Sequence, residues 1–303
     1  VSRYLVTGAA GFIGRALTRR FAGAGEWLRL DREIDHGGPG RALRGDLADP
    51  ATLREAAAFA PDVVFHLASA PGALAESDPA LSRRVNLDAS LNLFAALAAS
   101  GRRPSVVYAS SVAVYGEAAQ GRVSRDTPAA PATTYGAHKR MVEIALCDHV
   151  RRGELLGLAL RLPGVVARPQ ASGFGSAFMS ELPRAVAAGR RYVCSVSPGA
   201  VAWWMSAARA AENLMHAAGI EPTGVFQLPA LRLSVGDVLE ASLAIHGEDR
   251  RGLVTFEPDA RIETVFGRFG ELDAQAERKL GFCDDGDAQA LLRAALNPLE
   301  EAP

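Results

Sequence analysis

Short apolar runs alternate along this chain with longer segments whose apolar residues recur every three or four positions. Tyr4–Thr7, Trp27–Leu30, Asp62–Ala68, Ser105–Ser111 and Val225–Leu228 read as strands, and those that are apolar throughout read as buried ones. A further short strand is expected before Arg44. Between the strands, Phe12–Ala24 carries Ile13, Leu17 and Phe21 on one stripe. Thr52–Phe59, an Ala/Leu-rich segment from Asn86 to about Gly101, and Tyr135–Arg152 with Met141, Val142, Ile144 and Leu146 also read as helices. This alternation predicts an α/β protein with a doubly wound parallel sheet. Past Arg168-Pro169 the pattern weakens. Ala171–Ser176 is a Gly/Ser loop by composition, and periodicity stays weak to Pro198. Ala202–Ala218 and Val235–His246 read as helices, Val254–Pro258 as an edge strand, and Ala288–Leu296 as a last helix before a frayed acidic end.

The first strand runs directly into Gly8-Ala9-Ala10-Gly11-Phe12-Ile13-Gly14. Glycines at spacing three between a strand and a helix carry a mechanism. Gly8 allows the tight turn, and Gly11 lets backbone amides reach a pyrophosphate. Gly14 lets the helix lie close on the strand. Phe12 and Ile13 open that helix, whose N-terminus favours anions. The second strand ends in Asp31, where a carboxylate accepts both hydroxyls of an adenosine ribose and repels a 2′-phosphate. Its neighbour Arg32 is of the type that pairs with such a phosphate, but the acid sets the expectation: NAD over NADP. Asp46 has two readings, a residue facing the adenine or a cap for the helix from Pro50 onward. The expected architecture is a Rossmann domain over residues 1–168, with 201–229 returning to it. A smaller C-terminal substrate-binding part comprises 169–200 and 230–303.

Composition narrows the partners. The 303 residues hold 33 Lys plus Arg against 34 Asp plus Glu, a formal charge of −1, so no basic field draws nucleic acid or anionic lipid. Cys147, Cys194 and Cys283 are odd in number, far apart and without metal spacing, as expected for reduced thiols of a cytoplasmic protein. No metal site, secretory leader or membrane-spanning run is expected. His66, inside an apolar strand, reads as a satisfied core histidine.

The chemistry gathers around two later stretches. Ser105–Ser111 ends in two hydroxyls, and Thr134-Tyr135-Gly136-Ala137-His138-Lys139 opens a helix. Tyr135 and Lys139 are four apart and share a helical face. A free phenol titrates near about 10, too high for a base at neutral pH. A neighbouring ammonium and an oxidised nicotinamide favour the phenolate, which then takes an alcohol's proton as hydride leaves its carbon. Ser111 would hold the same oxygen.

Gly8-x-x-Gly11-x-x-Gly14, Asp31, Asp46-Leu47, Ser111-Val-Ala-Val-Tyr115-Gly116 and Tyr135-x-x-x-Lys139 together resemble the extended short-chain dehydrogenase/reductase family over about the first 170 residues. The resemblance implies catalysis by Ser111, Tyr135 and Lys139, with Asn86 helping to hold the lysine through its backbone or a water. It implies NAD contacts from Gly8, Gly11, Phe12, Ile13, Gly14, Asp31, Arg32, Asp46, Leu47, Tyr135 and Lys139, from Asn86, from Leu67, Ala68 and Ser69 at the end of the third apolar strand, and from Pro163 and Val165. It also implies a homodimer joined through the Asn86–Ser100 and Tyr135–Arg152 helices in a four-helix bundle.

Sugar-nucleotide epimerases of the family usually carry two acids in the region of Val201–Met205, and both are absent here. Arg161-Leu162-Pro163, Ser176–Arg184 and Trp204–His216 instead resemble the D-erythronate dehydrogenase group. That implies oxidation of the C2 hydroxyl of a small sugar acid, with substrate contacts from Ser69, Ser111, Tyr135, Ser172 and Arg184. Of the basic residues Arg184, Arg190, Arg191 and Arg209, Arg184 is the expected carboxylate clamp. Trp203-Trp204 has two readings, a pocket wall or packing. Two other functions stay open: a sugar-nucleotide 4-epimerase using the same Ser111, Tyr135 and Lys139, and a non-catalytic NAD-sensing regulator.

Overall fold

A computed structural model describes residues 1–166, 175–221 and 223–296, and they fall into two compact units. The first comprises residues 1–116, 129–162 and 211–227. It holds β1 (Arg3–Thr7), β2 (Glu26–Asp31), β3 (Arg41–Arg44), β4 (Val63–His66), β5 (Ser105–Ser111) and β6 (Leu156–Leu162). The chain then contributes β7 (Gly164–Val166), β8 (Tyr192–Cys194) and β9 (Val201–Ser206) to the second unit before returning with β10 (Gly224–Gln227). The sheet order is β3-β2-β1-β4-β5-β6-β10, every neighbour parallel. The order reverses between β1 and β4, and a crevice at such a switch point, beyond the carboxyl ends of the strands, is where this architecture binds ligands.

Helices α1 (Phe12–Arg20), α2 (Pro50–Ala58), α3 (Gly72–Ser77), α4 (Pro79–Ser82), α5 (Ala89–Ala99) and α6 (Thr134–Arg151) complete the first unit together with residues 211–217 of a later helix. Local chemistry sets their starts. Asp49 accepts from Ala51 N at 2.9 Å with Pro50 at the first helical position, and Thr133 accepts from Gly136 N at 3.1 Å. Leu5, Leu28, Leu30, Val64, Val106 and Ala159 of the sheet pack in one core with Leu93, Phe94 and Leu97 of α5 and Val142 and Leu146 of α6. Each large aliphatic side chain buried there contributes roughly 1.5–3 kcal/mol. The expected long helix from Asn86 runs to Ala99 but opens in π geometry. Residues Arg83–Asp88 form a π turn that delivers Asn86 into the interior, and regular α5 begins at Ala89. Such wide turns often mark functional positions.

The second unit comprises residues 117–128, 163–210 and 228–303. Its three-stranded sheet pairs β7 parallel with β9, and β9 antiparallel with β11 (Leu231–Ser234). A two-stranded sheet pairs β8 with β12 (Val254–Phe256). Its helices are α7 (Phe178–Ala187), the start of α8 (Ala207–Ala217), α9 (Val235–His246), α10 (Ala260–Phe266), α11 (Gln275–Lys279) and α12 (Ala288–Leu296). A reciprocal Ser234–Asp237 capping box starts α9.

The helix expected over Ala202–Ala218 is corrected here. Residues 202–206 belong to β9, and only Ala207–Ala217 is helical. Alanines on both sides give that segment helical composition, but Trp203 and Trp204 are buried in the strand. Each indole N–H donates to a backbone carbonyl, Gly270 O and Leu233 O, both at 3.0 Å. The pair packs in the interior of its unit. The return to the large sheet therefore spans 211–227, shorter than the expected 201–229, because β9 pairs within the second unit.

Candidate active site

The loop after β1 is built for close backbone approach. Gly8 sits at φ +71°, and a Cβ there would lie 2.7 Å from Ala68 N. Gly11 N donates to Gly8 O at 3.0 Å, closing the turn. A Cβ on Gly14 would run into the Gly8 carbonyl oxygen and Ala9 Cα, so this glycine lets α1 press on the loop itself rather than on the strand as expected. Gly11 caps α1 without a side chain, and no acid stands in the first turn. The first amides of α1, at Phe12, Ile13 and Gly14, are therefore free of side-chain competition for a phosphate. This cradle fits a dinucleotide pyrophosphate.

Asp31 ends β2 beside that loop. Its Oδ2 accepts from Ala10 N at 3.0 Å and its Oδ1 from Arg32 N at 2.8 Å, while the Arg32 side chain is exposed. A carboxylate has about four lone-pair sites, so capacity remains for two ribose hydroxyls. Gly45 N donates to Asp31 O at 3.0 Å, which brings the Asp46 turn alongside. Asp46 Oδ1 closes its own turn on Ala48 N at 2.9 Å, and Leu47 is buried. The cap of α2 is Asp49, so the capping alternative for Asp46 falls.

Leu67, Ala68 and Ser69 follow β4 at the same sheet edge. Ala68 N donates to Thr7 Oγ1 at 3.3 Å, and Ser69 Oγ donates to Asn86 Oδ1 at 3.2 Å. Asn86 also takes Ala70 N at 2.7 Å and gives its amide to Ala70 O and Ser82 Oγ at 3.0 and 3.1 Å. Its backbone oxygen accepts from Ser90 Oγ at 2.8 Å. These contacts make Asn86 the fastener of the loop after β4. Lys139 is held in turn by Ala109 O, which accepts from its Nζ at 2.8 Å.

His66 is the core histidine the sequence suggests. Ser90 donates to Asn86, so it accepts from His66 Nε2 (2.8 Å), and His66 Nδ1 then accepts from Thr7 Oγ1 (2.7 Å). Burial, with the Lys139 charge second, holds the imidazole down at about 3, so it is neutral.

Tyr135 and Lys139 face one way on α6. Lys139 is 3% exposed, with its Nζ 5.5 Å from the Tyr135 ring centroid and 4.9 Å from that of Tyr108. Burial pushes its ammonium down to about 7, and Glu143 pulls the other way. Ser111, half-buried, ends β5 two residues beyond the carbonyl that holds Lys139, and its Oγ accepts from Ala113 N at 3.2 Å. Tyr135 is half-buried, and a Cβ on Gly72 of α3 would lie 3.9 Å from its Cγ.

One group went unread in the sequence: Glu143, fully buried one turn beyond Lys139. Its oxygens accept from Ser110 Oγ (2.5 Å), Arg140 Nη1 (2.9 Å), and Arg161 Nε and Nη2 (3.0 Å each). The Arg161 guanidinium lies 4.8 Å from the Tyr115 ring centroid. The available signal was a lone acid on an apolar helix face and a lone base in an apolar strand, each needing the other.

In the second unit, Pro163 is buried just before β7, and Val165 pairs with Met205. Arg184 lies half-buried in the last turn of α7, where its side chain makes no hydrogen bond or ion pair among the described residues. Arg190 is 3.7 Å from Glu181. Ser172 lies outside the described residues.

A glycine cradle, a strand-end carboxylate and a Tyr-Lys pair with a strand-end serine are the donor set that nicotinamide-dependent chemistry calls for. The sequence profile of the NAD dependent epimerase/dehydratase family matches residues 4–204, and the chain belongs to that family. Within it, the chain is 35% identical to the D-erythronate dehydrogenase of Cupriavidus necator, over 96% of each protein. It is 28% identical to the solved nucleoside-diphosphate-sugar epimerase from Agrobacterium tumefaciens, with a TM-score of 0.88 over 96% of this chain and 92% of that one. It is 26% identical to MoeE5, solved in complex with UDP-glucose and NAD, with a TM-score of 0.79 over 97% of each.

Proposed function

We propose that this protein is an NAD-dependent dehydrogenase that oxidises the C2 hydroxyl of a small, D-erythronate-like sugar acid to the 2-oxo acid. The observation that carries the reading is the buried Lys139 beside Tyr135, next to a strand ending in Ser111. Its substrate class follows from the similarity to a D-erythronate dehydrogenase over nearly the whole chain. NAD, when bound, supplies the hydride acceptor, held by the glycine cradle, the α1 amides and Asp31. Tyr135, as phenolate, takes the hydroxyl proton, and the charge of Lys139 favours that phenolate. Ser111 donates to the same oxygen and fixes which C–H bond is presented. A planar, permanently charged donor suits the substrate carboxylate, and Arg184 is our assignment for it.

A 4-epimerase reading draws support from the likeness to a nucleoside-diphosphate-sugar epimerase. It would hold NAD without net turnover, and the acids usual near Val201–Met205 in such enzymes are absent here. An NAD sensor has no need of the Tyr135–Lys139 pair. Purified protein with NAD and a panel of aldonates, set against UDP-sugars, separates these readings by NADH absorbance. Growth with aldonates alone supports the proposal, and growth with neither substrate class rejects it.

We also assign a homodimer. Met141 and Ile144 leave an apolar stripe on α6 at 49% and 55% exposure, as a helix pairing with its copy would require. Light scattering at micromolar concentration tests this, and a monomer contradicts it.

A further inference from the structure

Lys139 is one of two lysines in the chain, the other being Lys279. Its surroundings are unusually complete for a buried amine. From α6, Tyr135 and Glu143 stand one turn to either side of it, and Arg140 follows it directly. From β5 comes Tyr108, whose hydroxyl is buried and unpartnered, and from β4 comes the neutral His66 behind that ring. From β6 comes Arg161, bound to Glu143 through two nitrogens. Glu143 is the one acid of this set. It is wholly buried, and its two oxygens tie α6 to both β5, through Ser110, and β6.

We propose that Glu143 is the positioning residue of the catalytic pair: it fixes the Tyr135–Lys139 face of α6 against the strand end that carries Ser111, and its charge keeps Lys139 a cation in the neutral range. This rests on the reading of Tyr135 as base, because only then does the enzyme need that cation. Desolvation drives the buried ammonium toward neutrality, and Arg140 and Arg161 push the same way. A carboxylate one turn away opposes both. Burial holds the Lys139 ammonium well below its usual range, so a change in the local field alters the charged fraction directly. Ser110 adds a mechanical link, since it precedes Ser111 and donates to the same carboxylate.

Lysine labelled with ¹³C gives two side-chain signals from this chain, and Lys279→Arg assigns that of Lys139. Glu143→Gln keeps the shape and removes the charge. It should lower the Lys139 midpoint by about one pH unit or more. Arg140→Met removes a cation at a half-exposed position and should raise the midpoint by less. Ser110→Ala leaves the charges in place and should leave the midpoint near that of the parent while lowering kcat. With NAD and D-erythronate, the alkaline limb of the pH profile should move as the midpoint moves. A midpoint unchanged in Glu143→Gln, or in Arg140→Met should the first variant not fold, overturns the inference. Tyr135→Phe separates it from the underlying reading. Retained activity in that variant removes the base, while the lysine midpoint still decides what Glu143 does.

Discussion

Residues 4–31 and residues 175–210 are shaped in different ways. In the first stretch the backbone makes the site. Gly8 is at positive φ against Ala68, Gly14 has no room for a Cβ, and Asp31 ends a strand beside the loop. Residue choice there is forced by geometry, so it can be read from one sequence. In the second stretch the residues pack into their own core: Phe178 and Leu182 of α7, and Trp204 of β9, share one buried cluster. Arg184, the clamp we propose, is half-buried in the last turn of α7 beside that core. The first stretch is thus shaped by its backbone, and the second by the packing of its side chains.

The largest effect expected from that contrast concerns chemistry rather than binding. Tyr135→Phe should cost about 10²–10⁴-fold in kcat and leave NAD affinity near that of the parent, because the cradle is made elsewhere. Single-turnover oxidation together with NAD titration checks both halves. Loss of NAD binding would blur the contrast.

Arg184→Met sharpens it from the other side. Keeping the volume and removing the fork should cost about 2–5 kcal/mol in kcat/KM for an aldonate, with NAD binding unaltered. Arg190, already near Glu181, should matter less when replaced likewise. Aldonate oxidation at the parent rate would move the clamp elsewhere.

The smallest effect is at Asp31. Asp31→Ala should narrow the preference for NAD over NADP, since the carboxylate no longer opposes a 2′-phosphate, and should leave aldonate KM unchanged. Initial rates with each cofactor decide it, and equal use of both by the parent would contradict the assignment.

Much of the first unit was legible because period and punctuation agree there. The strand before Gly8, the strand ending at Asp31 and the helix carrying Tyr135 and Lys139 lie close to where the pattern puts them. The misses share a cause, which is tertiary context overriding local composition. Flanking alanines suggested a helix where Trp203 and Trp204 make a strand. The π turn that buries Asn86 has no sequence period of its own. Glu143 and Arg161 look like stray charges until the fold brings them to 3.0 Å. The match of the Asn86 amide to the Ala70 backbone is likewise made only by the fold.

The central claim is that hydride leaves C2 of a sugar acid and departs on the cofactor. D-erythronate deuterated at C2, incubated with NAD and the protein, tests it most directly. The account predicts deuterium on the nicotinamide ring of released NADH and a slower rate than with the protiated acid. Released NADH without deuterium would place the oxidation at another carbon, and no released NADH with any aldonate would contradict the dehydrogenase assignment itself.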